Sequence, residues 1–339
     1  MNTARGQSGQ TFPKKKKLPY GGKKMNNLFQ KTNAYWAKYS DYEYRQGDGG
    51  TLYIIPAENA LPAVYDPMIE AETLVVDAIN VGRLAMKRET EESDMKQTVL
   101  TFVKKYGLLG FMTAIPTTPD FIDYDAVYML KNHFIKDETM HTKDYLSLFF
   151  PFGKPDIYKD KEKSRWNVAA KSLQNSESPE AFKQGRMVLA LAKIFSSEPM
   201  AVGMSLLPIY AERYEWLVTQ FKDWAFMLVS AFLYYDRKDE TDEVSRDLYR
   251  QGVSAFGSKA PTYHISLYDD KPKIVWDFHS LLLTVQTMFG FALSDENRPI
   301  RLCRHCNLAF IAKHNNAAFC SSECKNQYNV YKGRGKNPT

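Results

Sequence analysis

The four cysteines of this 339-residue chain all lie near its C-terminal end, as Cys303, Cys306, Cys320 and Cys324. Two residues separate the first pair, three separate the second, and thirteen lie between the pairs. Two cysteines spaced C-x2-C can reach one ion from a tight knuckle turn, and a second pair can do so from the start of a helix. Four thiolates around one tetrahedral centre suit Zn²⁺. Soft sulfur ligands also admit an iron–sulfur cluster and disfavour Mg²⁺ or Ca²⁺. Iron–sulfur spacings usually differ, so zinc is the expected ion. Disulfides are the competing reading. They are disfavoured because the rest of the chain has no cysteine, no signal peptide is recognised, and C-x2-C pairs are poor staples for a fold. With four sulfurs bound, no coordination position stays open, so the expected site is structural and not hydrolytic. His305 and His314 are alternative ligands, but four cysteines complete the sphere and both histidines read as solvent-facing.

The residues between the cysteines predict a shape. Leu302 to Cys306 form the knuckle. Leu308, Phe310 and Ile311 are apolar at strand-like positions, and Lys313 to Asn316 read as a polar turn. Ser321 or Ser322 can cap a helix that begins near Cys324, runs through Tyr328 and Tyr331, and ends at Gly333. Knuckle, hairpin and helix in that order predict a treble-clef zinc finger.

Charge is concentrated around these residues. From Arg298 to the end there are eight basic side chains and one acid, Glu323, giving +7. The candidate nucleic-acid contacts are Arg301, Arg304, Lys313, Lys325, Asn326, Gln327, Asn329, Lys332, Arg334 and Lys336. Basic groups neutralise phosphates, amides pair with adenine edges, and the interleaved Tyr328 and Tyr331 can stack on bases. The plainer alternative is that these residues form the solvated face of a small finger.

The stretch Phe319-Cys320-Ser321-Ser322-Glu323-Cys324-Lys325-Asn326-Gln327 resembles the C-terminal finger of bacterial CGNR-type zinc-finger proteins. Cys324 and Asn326 keep their places in that motif, whereas Lys325 stands where the family has Gly and Gln327 where it has Arg. The resemblance is confined to the C-terminal finger. It implies a finger that follows a helical ligand-sensing or regulatory domain, and a role as a DNA-binding transcriptional regulator.

The elements that must position the finger come before it. Residues 1–25 hold Arg5, Lys14 to Lys17, Lys23 and Lys24 with no acid, and predict a flexible basic arm of +7. The whole chain is +6, which leaves −8 for residues 26–297. An acidic body would not spread over a polyanion, so nucleic-acid contact is expected at the two basic ends. A hydrophobic content of 44% and an aromatic content of 14% suffice for a substantial core.

Within the body, Tyr42–Arg45 and Thr51–Ile55 around Gly47 to Gly50 read as a hairpin. Asp66-Pro67 opens a helix carrying Ile69, Val76, Ile79 and Leu84, and a second helix runs from near Met95 to Tyr106, stopped by Gly107. Leu108 to Ile115 reads as strand or buried loop. Residues 117–175 are aromatic and irregular, and Ser178-Pro179-Glu180 opens another helix. Tyr210, Tyr214, Leu217, Phe221, Trp224, Leu228 and Phe232 recur at intervals of four and three, which predicts one apolar helix face over 208–235. That face would either cross the body's own core or carry self-association. Residues 236–250 are charged and read as a joint. A second hairpin is expected over Tyr263 to Trp276, and an apolar helix from Phe278 to Phe291, too short to span a membrane.

The predicted architecture is α+β: a mostly helical body (26–297) with small hairpins, between a flexible arm (1–25) and a basic finger (298–339). The expected function is nucleic-acid binding, DNA rather than RNA, by a cytoplasmic protein with a structural Zn²⁺. The alternative is a zinc-finger protein-interaction or scaffold module. No nucleophile–base constellation points to an enzyme, and no membrane partner is expected.

Overall fold

The computed structural model describes residues 31–111, 127–129, 138–140, 147–153, 205–236, 242–255 and 261–334, apart from positions 35, 279, 296 and 315. The arm expected over 1–25, the helix from Ser178 and Lys336 lie outside the described residues. The architecture is mixed helix and sheet.

Two helices that cross closely form the centre. Helix α1 (Ala71–Ala85) turns Leu74, Val75, Ala78, Ile79 and Gly82 inward. Its partner α3 (Tyr214–Asp236) buries Leu217, Phe221, Trp224 and Leu228. Gly82 sets their separation, because a Cβ there would lie 1.8 Å from the carbonyl oxygen of Phe221. Helix α2 (Glu92–Tyr106) adds Phe102, whose ring meets Phe221 edge-on at 4.8 Å. The apolar stripe read from the sequence of α3 is therefore used within the chain's own core. Asp66 caps a single 3-10 turn, Pro67–Glu70, before α1 begins. Ile69 sits on that turn and is exposed, so the inward face of α1 starts later than the spacing suggests.

Short strands surround the helices. Strands β3 (Tyr42–Gln46) and β4 (Leu52–Pro56) form the expected hairpin, with β8 (Glu212–Arg213) on the far edge of β4. Pairing with β4 draws Glu212 and Arg213 into a sheet, which explains why α3 starts at Tyr214. Strands β2 (Trp36–Tyr39) and β5 (Pro62–Tyr65) pair separately, as do β6 (Val127–Met129) and β7 (Glu138–Met140). Strand β1 (Thr32–Asn33) adds in parallel to β10 (Lys271–Asp277), which pairs with β9 (Thr262–Tyr268) around Asp269 and Asp270. Both turn residues have positive φ, the geometry a two-residue hairpin turn requires. The charged run read as a joint contains helix α4 (Glu243–Ala255), and the apolar helix before the finger is α5 (Leu281–Ser294), capped by Ser280. Among the described residues no helix is long and apolar enough to cross a membrane.

Leu108 to Phe111 form a buried loop rather than a strand. Glu212, fully buried, accepts the backbone N–H groups of Leu109, Gly110 and Phe111 at 2.9, 2.6 and 3.0 Å, and the Tyr210 hydroxyl at 2.6 Å. A carboxylate thus replaces the strand that would otherwise satisfy these donors. Burial pushes the Glu212 carboxyl upward against the stabilising effect of those hydrogen bonds.

Asp223 on α3 has no such support. Its Oδ2 is buried without a hydrogen-bond partner, and burial pushes its pKa up to about 6. A carboxyl raised in the folded state stabilises the fold fully below its unfolded value of 3.8, and that contribution is lost as pH rises through about 6. Asp223→Asn should therefore stabilise the protein relative to wild type at pH 7.5 and not at pH 4. The expected gain is about 1 kcal/mol, since partial solvent exposure reduces the roughly 3 kcal/mol that the shift alone implies. Paired thermal melts at the two pH values measure it.

Candidate metal centre and basic helix

The segment expected to be the finger begins as a hairpin. Strands β11 (Ile300–Leu302) and β12 (Ala309–Ile311) pair antiparallel, with Ile300 opposite Ile311 and Leu302 opposite Ala309. Period-two alternation sends Ile300, Leu302 and Ala309 into the same apolar core that contains α1 and α3. The connecting turn is the knuckle: Cys303 N–H donates to Leu308 O at 2.9 Å, and Asn307 N–H to Cys303 O at 2.9 Å. Asn307 takes φ of +63°, which asparagine tolerates better than most residues. The sequence placed a hairpin after the knuckle. In the structure the hairpin encloses it, because the strand before Cys303 is the one whose apolar residues match β12. The expected turn near His314 leads back to Ala318, whose carbonyl accepts Arg304 N–H at 3.0 Å.

The second cysteine pair comes from a capped helix. Ser321 is the N-cap of α6 (Ser322–Gly333), and its Oγ accepts Cys324 N–H at 3.2 Å. Cys320 precedes the cap and Cys324 occupies the first turn, where the helix dipole favours a thiolate. The four Sγ atoms all lie within 4.8 Å of one another. Cys306 and Cys320 are 3.7 Å apart, and Cys320 and Cys324 3.4 Å. Four sulfurs each about 2.3 Å from one tetrahedral ion would be about 3.8 Å apart, whereas a disulfide needs about 2.05 Å. No disulfide joins any two of the four cysteines. The arrangement fits a metal ion held by sulfur alone.

The protein begins the deprotonation such a site needs. Burial works against the Cys303 thiolate, but hydrogen bonds from the amides of Cys306, Cys320 and His305 outweigh it and bring its pKa down to about 7. Burial, then the thiols of Cys324, Cys303 and Cys306, push Cys320 upward. Without a metal the quartet therefore does not hold four negative charges; a divalent cation relieves that conflict.

The body grips the finger through residues that the sequence does not mark. Asn80 on α1 accepts Ala309 N–H at 2.7 Å and donates to Ala309 O at 3.2 Å, so one amide satisfies both backbone groups of a β12 residue. Arg298 makes a two-pronged pair with Glu72 at 3.0 and 2.9 Å. Arg83, also on α1, is depressed by burial and held up by the charge of Cys306. A polar residue inside an amphipathic helix reads as solvent-facing, and only the fold puts Asn80 against an edge strand.

The candidate contact residues separate by position. None of the residues of α6 is buried. Its knuckle side is occupied: Gln327 Oε1 lies 2.7 Å from His305 Nε2, Tyr331 stacks on the His305 ring at 5.7 Å, and Tyr328 meets Phe319 at 5.1 Å. Gln327, Tyr328 and Tyr331 are thus engaged within the finger. Helical spacing turns Asn326 and Asn329 to the opposite side, flanked by Lys325 and Lys332, all exposed. Arg304, Lys313 and Arg334 are also exposed, while Arg301 on β11 is partly covered.

Comparison with protein-family models, with curated proteins and with solved structures found no match to this chain. Cys320→Ser should remove the bound metal and loosen both the knuckle and α6. Limited tryptic cleavage at Lys325 and Lys332 should then run at least about tenfold faster than in the metal-loaded wild type. Unchanged metal content and cleavage would contradict the four-sulfur assignment.

Proposed function

We propose that this chain is a nucleic-acid-binding protein whose C-terminal segment is a treble-clef finger built on a structural Zn²⁺. Zinc is favoured because four thiolates in a closed tetrahedral set match its ligand and geometry preferences and leave it no catalytic position. The ion contributes folding energy to a short segment with little core of its own. Four clustered cysteines with no disulfide among them suit a reducing compartment, in keeping with a cytoplasmic protein.

One observation carries the nucleic-acid reading: the polar face of α6. Its inner side is tied to the knuckle, and its outer side offers Asn326 and Asn329 between Lys325 and Lys332. An exposed helix of this composition fits the major groove of DNA, with amides toward base edges and lysines toward phosphates. A-form RNA has a deep, narrow major groove that excludes such a helix, which favours DNA. The +7 charge of the finger segment against the −8 of residues 26–297 restricts contact to this end and the basic arm. The CGNR-type resemblance points the same way, toward transcriptional regulation by a bacterial-type protein.

Exposure of Val330 and Leu308, 49% and 45%, favours a second reading in which the finger docks on another protein. Salt separates the two. If the proposal holds, duplex DNA binding followed by fluorescence anisotropy weakens linearly in log–log form, with a slope of about −0.9 per phosphate contact. Lys325→Ala with Lys332→Ala should make the slope shallower by about 2 units, while Asn329→Ala should lower sequence preference and leave the slope unchanged. No binding to any duplex at low salt would favour the protein-docking reading.

A further inference from the structure

The hairpin of β9 and β10 has its faces reversed relative to an ordinary surface hairpin. Its inner face carries Val275 and the buried Asp277, which accepts Asn33 Nδ2–H at 3.0 Å and lies 2.8 Å from His264 Nδ1. Its outer face carries Tyr263, Ile265 and Leu267 on β9, exposed by 61%, 69% and 72%, beside Ile274 of β10 at 50%. Cross-strand register puts Ile265 opposite Ile274 and Tyr263 opposite Trp276.

The two edges of this sheet are treated differently. On β10, Trp276 and Phe278 N–H groups donate to Lys31 and Asn33 carbonyls at 3.0 Å, so β1 covers that edge. Farther along, Pro272 lacks a donor and Lys271 and Lys273 add charge, the usual protection of an edge strand. Because Trp276 and Phe278 point their amides to β1, antiparallel alternation turns Val275 and Asp277 toward β9. The backbone groups of His264 and Thr262 then face β10, and those of Tyr263, Ile265 and Leu267 face outward along an edge that no strand among the described residues covers. These are the same residues whose apolar side chains are exposed. The sequence of β9, TYHISLY, contains no lysine, no proline and no charged carboxylate.

We infer that β9 is a self-association edge, and that its occupant is β9 of a second copy of this chain. An antiparallel pair related by a twofold axis at Ile265 sets Ile265 against itself, Tyr263 against Leu267, and His264 against Ser266. Every outward N–H and C=O of the three apolar residues finds a reciprocal partner in that register. Aromatic and branched side chains meet across the new junction without opposing charges, and the outer apolar faces join into one surface. Because β1 and Pro272 protect the other edge, pairing stops at two copies instead of growing into a fibre. The inference does not depend on what the finger binds.

Sedimentation equilibrium of the full chain across the micromolar range tests this, with melting temperature and metal content as folding controls. Wild type should show a reversible monomer–dimer equilibrium. Ile265→Lys and Ile265→Glu should each weaken it by at least about tenfold, since each sets like charges against each other at the twofold axis. Mixing the two variants should restore dimer as a heterodimer, which requires residue 265 to lie opposite its own counterpart. Ile274→Lys, on the same face but away from the open edge, should change the equilibrium by less than about threefold. A wild type that stays monomeric overturns the inference and leaves the edge to a strand of another protein. Variants that dimerise like wild type, or a mixture that stays monomeric, overturn it as well.

Discussion

Four thiols crowded within 4.8 Å of one another impose the central constraint on this molecule. Such a group cannot carry four charges unaided, and as neutral thiols it gains little from its proximity. A divalent ion would resolve this by exchanging protons for metal–sulfur bonds. Much of the C-terminal geometry suits that exchange. The knuckle turn exists to present Cys303 and Cys306, and the Ser321 cap places Cys324 where amide dipoles favour a thiolate. Helix α6 has no buried residue and so draws little stability from packing; an ion at its first turn would supply an anchor.

The finger is not an appendage on a string. Ile300, Leu302 and Ala309 belong to the core shared by α1, α3 and α5, and Asn80 completes the backbone bonding of β12. Loss of the metal would thus be felt in the body, and strain in the body would be felt at the knuckle. The close crossing of α1 and α3 at Gly82 fixes where α1 lies, and hence where Asn80 and Arg83 meet the finger.

Local chemistry was legible in the sequence where a residue type has one use. Gly107 stops α2 with φ of +91°, Ser321 caps α6, and Asp269-Asp270 closes the β9–β10 turn. The cysteine spacing alone located the candidate centre. What remained hidden depends on partners distant in sequence. Glu212 looks like an ordinary surface acid until Leu109 to Phe111 fold over it. The hairpin around the knuckle could not be told from one after it, because Leu308, Phe310 and Ile311 suit either pairing. The charged run near residue 243 folds as α4, where Val244 and Leu248 recur at helical spacing yet stay exposed, so the helical signal lay among charges and marked no buried face. Gln327 read as a base contact because its partner, His305, comes from another turn of the finger.

The most direct test of the account is the metal itself, read by elemental analysis and X-ray absorption at the metal edge on the purified 339-residue chain. The account predicts one zinc per chain, with a first shell of four sulfurs at about 2.3 Å and no nitrogen or oxygen ligand. A metal-free protein that keeps its finger folded, or a shell containing histidine nitrogen or water in place of sulfur, would contradict it.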